Sequence, residues 1–165
     1  MTASHGSRQG PRRKGGTAAG AQAALEAARS VCLNRGLSLT PGRQRILEIL
    51  ALEGRPLGAY DLIEKVAEKT GKRPAPISIY RALDFLLENS LVHRLASRNM
   101  FLACGHAHAA QDPIVFLICE ECGGVVEATS EDLRGSLAGL AAQARFAPRA
   151  TMMEVAGRCE ACAGA

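Results

Sequence analysis

The chain has 165 residues, 47% of them apolar but only 4% aromatic and none Trp, so any packed core has to be aliphatic. Its net charge of +4 divides unevenly: residues 1–103 carry +8 and residues 104–165 carry −4, which suits a front half that meets a polyanion. Every apolar run falls short of the roughly 18 residues that span a bilayer, and the opening MTASHGSRQGPRRKGG lacks the apolar segment of a secretory signal, so a cytoplasmic rather than a membrane protein is expected.

Residues 1–20 read as a disordered basic tail; without Arg8, Arg12, Arg13 and Lys14 the front half still carries +4. An Ala-rich helix is expected over residues 21–34, ended by Gly36, with Cys32 on it as a small buried hydrophobe. In LTPGRQRILEILALEG, Thr40 and Pro41 read as N-cap and first helical position, and Gly54 closes the helix. A third helix over residues 59–69 turns Leu62, Ile63 and Val66 inward. The fourth, PISIYRALDFLLENS, buries Ile79, Leu83, Leu86 and Leu87 and shows Ser78, Arg81, Asp84 and Glu88 on its other face. LVHRL and NMFLAC then read as a two-stranded hairpin. Helices followed by a two-stranded wing make a winged helix-turn-helix, residues 21–103.

Residues 104–165 read as a small α+β unit: a loop GHAHAAQD, strands at VFLIC and VVEAT, a helix over residues 131–144 capped by Ser130, and a final strand TMMEVAG. A unit of this size needs a staple or a partner. Cys119 and Cys122 sit at a strand end before Gly123 and Gly124, and Cys159 and Cys162 repeat the spacing at the far end. Cys-x-x-Cys delivers two thiolates to one ion, and two such pairs complete a tetrahedral zinc shell with no vacancy for water, a structural rather than a catalytic site. In a reducing compartment metal explains these cysteines better than disulfides. A redox dithiol is the alternative, although a pair between strands differs from the thioredoxin placement before a helix.

Further potential ligands flank the junction of the two units: His93 on the wing, Cys104 at its end, Glu127 on the strand after the first pair, and His106, His108 and Asp112 in the loop. Alone, His93 reads as a surface strand residue and Cys104 as a half-buried thiol. Together they form the mixed N/S/O set that a second, adjustable metal site requires.

LTPGRQRILEIL, GAYDL, SIYRALDFLLENSLVHRL, CGH, FLICEECGGVVE and GRCEAC, in that order, closely resemble the ferric uptake regulator superfamily and its zinc uptake regulator branch, over residues 39–162. The resemblance implies a cytoplasmic homodimeric repressor that binds a double-stranded DNA operator through an N-terminal winged helix and dimerises through a C-terminal α/β domain. It implies one structural zinc on Cys119, Cys122, Cys159 and Cys162, and one regulatory zinc on His93, Cys104, Glu127 and a fourth ligand. That fourth position, usually His in this branch, is Asp112 here; His106 or His108 is the alternative. On the DNA side the resemblance places Arg81 at a guanine edge, Tyr60 at a thymine methyl or phosphate, and Ser78 and Arg43 at the backbone. Core packing is the competing reading for Tyr60, and an ion pair with Asp84 for Arg81. Ser90 stands where the branch often has Gly, so the turn there is expected to be slightly strained or to use a different geometry.

Rival functions are an iron or peroxide sensor of the same superfamily, and a zinc-buffering or protein-interaction ribbon. Against the first, DPIVF occupies the place of a His-rich run, and a thiolate at Cys104 suits zinc better than ferrous iron. The basic winged helix counts against the second. No HExxH or nucleophile elbow suggests an enzyme, no HxE accompanies a CxxC as in a deaminase, and no small-molecule substrate is expected.

Overall fold

Residues 16–105, 113–148 and 151–164 are described by a computed structural model. Four helices come first: α1 (Ala18–Asn34), α2 (Pro41–Glu53), α3 (Ala59–Thr70) and α4 (Pro76–Glu88). α1 begins three residues ahead of the expected start, because the Thr17 hydroxyl accepts from the Gly20 N–H at 3.0 Å and caps it. Thr40 caps α2 in the same way, and Gly36, Gly54 and Gly71 end the first three helices with φ of 63°, 59° and 69°. α4 ends at Ser90 with φ 56°, where Ser90 N–H donates to Leu87 O and Leu91 N–H to Leu86 O. This is the double bond of a Schellman turn, on a residue with a Cβ. Ser90→Gly is expected to raise stability by roughly 0.5–1 kcal/mol, since left-handed strain of about 1–2 kcal/mol is relieved and part is returned as unfolded-chain entropy. Thermal melts of the two proteins check this; a lower midpoint in the glycine variant would show that the serine is unstrained.

Leu47, Leu50, Leu62, Ile63, Leu83 and Leu86 are the largest members of an aliphatic core between the helices, and Cys32 is buried among them. The wing strands β1 (Val92–Leu95) and β2 (Met100–Ala103) pair antiparallel, Val92 opposite Ala103. A third segment joins them: Leu57 and Phe101 exchange both backbone bonds at 2.8 Å. The wing is apolar on both faces. Val92 and Phe101 belong to the helical core, while Leu95, with Leu102 beside it, belongs to a second core containing Ile114, Phe116 and Ile118. Strand alternation therefore turns His93 and Leu95 away from the helices and toward the second module.

That module contains β3 (Ile114–Cys119), β4 (Val125–Ala128), α5 (Glu131–Gln143), β5 (Met152–Gly157) and a short α6 (Glu160–Ala163). The sheet order is β4-β3-β5, with β3 antiparallel to β4 and parallel to β5. Ile114, Phe116 and Ile118 cover the wing side of the sheet. The opposite side leaves Leu117 44% and Val155 50% exposed, and α5 buries none of its residues, with Leu140 61% exposed. Among the described residues no helix is long and apolar enough to cross a membrane.

Candidate metal centres and DNA-facing surface

β3 ends in a tight turn: Gly123, at φ 70°, donates its N–H to Cys119 O at 3.0 Å, and Cys119 N–H donates to Gly124 O at 2.8 Å. Only glycine takes that backbone without strain. The parallel register sets Cys119 beside Gly157, so the second cysteine pair emerges where the first one turns. The four sulfurs of Cys119, Cys122, Cys159 and Cys162 lie within 4.8 Å of one another, and Cys122 Sγ is 3.7 Å from Cys159 Sγ. A disulfide would bring them to about 2.05 Å. A tetrahedron of thiolates around zinc at about 2.3 Å has edges of about 3.8 Å. The spacing is that of a cage.

Its electrostatics point the same way. Backbone N–H groups of Cys122 and then Cys159 bring the Cys119 thiol down to about 6. The neighbouring thiols of Cys159 and Cys122 push Cys162 up to about 12. Cys122 is lowered as well, chiefly by the Gly124 N–H, so the thiolate form is favoured at Cys119 and Cys122 and disfavoured at Cys162 until a cation sits between them. Four soft donors at this separation fit zinc.

The second group draws on three stretches of the chain. His93 on β1, Cys104 just past β2 and Glu127 on β4 present donor atoms within 4.8 Å of one another. His93 is buried, its ring 5.5 Å from that of Phe116. Cys104 is held by its N–H bond to Leu91 O at 3.1 Å, and Glu127 accepts from Gly105 N–H at 3.3 Å. Imidazole, thiolate and carboxylate are all zinc donors. Asp112, His106 and His108 lie outside the described residues.

On the helical half, Ser78 and Arg81 are exposed along α4, and Arg81 makes no ion pair among the described residues. Tyr60, at the start of α3, is 73% exposed, which rejects core packing for its ring. Arg43 is partly committed elsewhere: its guanidinium lies 3.5 Å over the Phe85 ring and donates to Ser38 O at 2.6 Å. Sequence reasoning overlooked Ile77 and Tyr80, both exposed beside Arg81 on α4. Their i, i+3 spacing, offset from the Ile79–Leu83–Leu86 stripe, was the available signal.

The ferric uptake regulator family pattern matches residues 34–156. The zinc uptake regulation protein of Escherichia coli (strain K12) is 35% identical over 141 residues, 86% of this chain and 82% of that protein. A zinc uptake regulator complexed with zinc and DNA superposes with a TM-score of 0.79 at 34% identity, over 87% of this chain and 95% of its own. Holo XcZur superposes at 0.76 with 42% identity, covering 86% of this chain and 97% of its own, whereas apo XcZur, at 41% identity and 88% and 99% coverage, reaches only 0.53. Identity and coverage differ by no more than two percentage points within that pair, so the difference lies in how the parts of the chain are arranged. On pattern, identity and coverage together, the chain belongs to the ferric uptake regulator family.

Proposed function

We propose that this protein is a zinc-responsive repressor of zinc uptake genes, binding a double-stranded DNA operator as a zinc-loaded homodimer in the cytoplasm. Residues 21–103 form its winged-helix reader and residues 104–165 its dimerisation and metal-binding module. One observation carries the reading: His93 lies on the wing, Cys104 at the junction just past it and Glu127 on β4 of the second module, yet their donor atoms meet within 4.8 Å. A site split between two modules reports whether they are together. The resemblance to holo rather than apo XcZur supports a closed, metal-competent arrangement here.

Cys119, Cys122, Cys159 and Cys162 would hold a structural ion, and His93, Cys104 and Glu127 a regulatory one, with Asp112, His106 or His108 adding the fourth donor. A bound cation supplies the charge that lets imidazole, thiolate and carboxylate share one point. By converging there, His93 and Cys104 draw the wing onto the sheet and fix α4 relative to the second module. The exposed, paired Leu117 and Val155, with Leu140 exposed on α5, give a second copy apolar surface to cover. Two copies of α4 then present Arg81 to successive major grooves, about 34–36 Å apart, with Ser78, Tyr60 and Arg43 placed for neighbouring contacts. The role is that of a regulator, not an enzyme: four thiolates leave no coordination vacancy, and the split site serves closure.

The test is selection of bound sequences from random duplexes, followed by anisotropy titration across buffered free zinc. Zinc is expected to tighten binding by about 5- to 150-fold, the usual range for coupled sites, with ferrous iron under anaerobic conditions failing to substitute. Affinity independent of zinc would end the reading.

A further inference from the structure

Besides the apolar contact of Leu95 and Leu102 with Ile114, Phe116 and Ile118, the described residues of the wing meet the second module through two polar sets, and the metal-ligand set is one of them. The other is the turn between β1 and β2, residues 96–99. Ala96 N–H donates to Glu154 Oε1 at 2.6 Å and Ser97 N–H to Glu154 Oε2 at 3.3 Å, while the Ser97 hydroxyl donates to the same Oε2. Beside it Arg98 donates to Cys119 O at 3.4 Å. Glu154 stands on β5 opposite Phe116, on the side of the sheet that faces the wing, flanked by Met152 and Ala156. A lone acid in that row has no role in the apolar core. Its two oxygens instead accept three donors of one turn, and these bonds, the Ser97 hydroxyl first, hold its carboxyl below the usual carboxylate range.

None of the atoms in these bonds is a metal donor; Cys119 takes part through its carbonyl, not its sulfur. The turn contacts and the His93–Cys104–Glu127 set nevertheless close the same two surfaces, so whatever the first contributes to closure, the second need not supply. We propose that Glu154 is a positioning residue, a metal-independent latch that holds the wing turn on the second module and thereby sets the zinc concentration at which the junction site fills. Its biological meaning rests on the function proposed above, but its measurement needs no DNA. A carboxylate is required because a glutamine turns an amide N–H₂ toward donors that need an acceptor.

The experiment uses the full-length dimer in competition with a chromophoric zinc chelator, resolving the two zinc sites by affinity. Glu154→Gln is expected to weaken junction zinc about 5- to 10-fold, at the low end of coupling between linked sites, with cage zinc unchanged. Ser97→Ala, which spares both backbone bonds, should move the junction affinity in the same direction by less. General damage to the fold would weaken both zinc sites together, and that outcome overturns the latch, as does wild-type junction affinity in both variants. Should Glu154→Gln fail to fold, Ser97→Ala decides: an unchanged junction affinity overturns the proposal. Zinc-independent operator binding by the wild type would instead sink the functional reading and leave this comparison intact.

Discussion

Replacing Cys119 with Ser is expected to strip the cage zinc and to unfold residues 104–165, which takes the junction donors Cys104 and Glu127 with it and leaves a monomer with a helical front half. The reason lies in how little else holds the module. Its sheet has three strands, only one face of which is packed, on Ile114, Phe116, Ile118 and the wing's Leu95. α5 buries no residue, so the segment between β4 and β5 adds little apolar burial of its own. Closure therefore falls to the cysteine cage, which ties the end of β3 to the chain just past β5. Metal binding at such a site is folding free energy, because the unfolded chain has no preformed cage. Serine offers a neutral hydroxyl where the chain provides a thiol that backbone N–H groups bring down to about 6. Elemental analysis should fall from two zinc per chain to one at most, and sizing should show a monomer. Limited proteolysis should consume the second half while the helical core of α1 to α4 survives. A dimer that keeps both ions after this substitution would show that the four cysteines are not a metal cage.

The parts of this architecture that sequence revealed are those specified by neighbours in the chain. Thr40 before Pro41, and Gly36, Gly54 and Gly71 after their helices, announce boundaries through local backbone chemistry, and each does so in the structure. Ser90, in place of Gly, left open a strained turn or another geometry, and the structure has the left-handed turn at φ 56°. Thr17 was missed as a cap because it falls within the stretch read as tail, and the residues after it are mostly alanine until the buried row Ala21, Leu25, Ala28 and Cys32 is under way. Leu57 was missed as a third wing segment for a similar reason: one paired residue between Pro56 and Gly58 cannot alternate. α6 is a single turn that carries Cys162 and is too short for any period. The cysteine pairs were legible as pairs, but their meeting depends on the parallel register of β3 and β5, which sequence does not display. Glu154 was invisible altogether. A lone acid in an apolar strand reads as a solvent-facing position, and its partners Ala96 and Ser97 stand 58 and 57 positions earlier.

Substituting His93 with Ala is expected to leave a folded dimer that retains cage zinc and no longer responds to added zinc. β1 shows why the two properties separate. Val92 faces the helical core, and Leu95 carries the apolar contact with Ile114, Phe116 and Ile118. His93 sits between them as a buried ring against Phe116, and in the function proposed above its role is to donate to metal rather than to anchor the wing. Without it, Cys104 and Glu127 remain on opposite sides of the junction with no imidazole to complete the set. Zinc per chain should fall from two to one, sizing should still give a dimer, and operator affinity should stay at the metal-free value across the whole zinc range. The lost increment equals the coupling itself, about 5- to 150-fold in affinity. The two substitutions thus separate the ions by consequence: loss of Cys119 removes the module, loss of His93 removes only its communication with the reader. Should His93→Ala bind operator with the wild-type zinc midpoint, the switch does not reside at the junction of wing and sheet, and the split site would need another role.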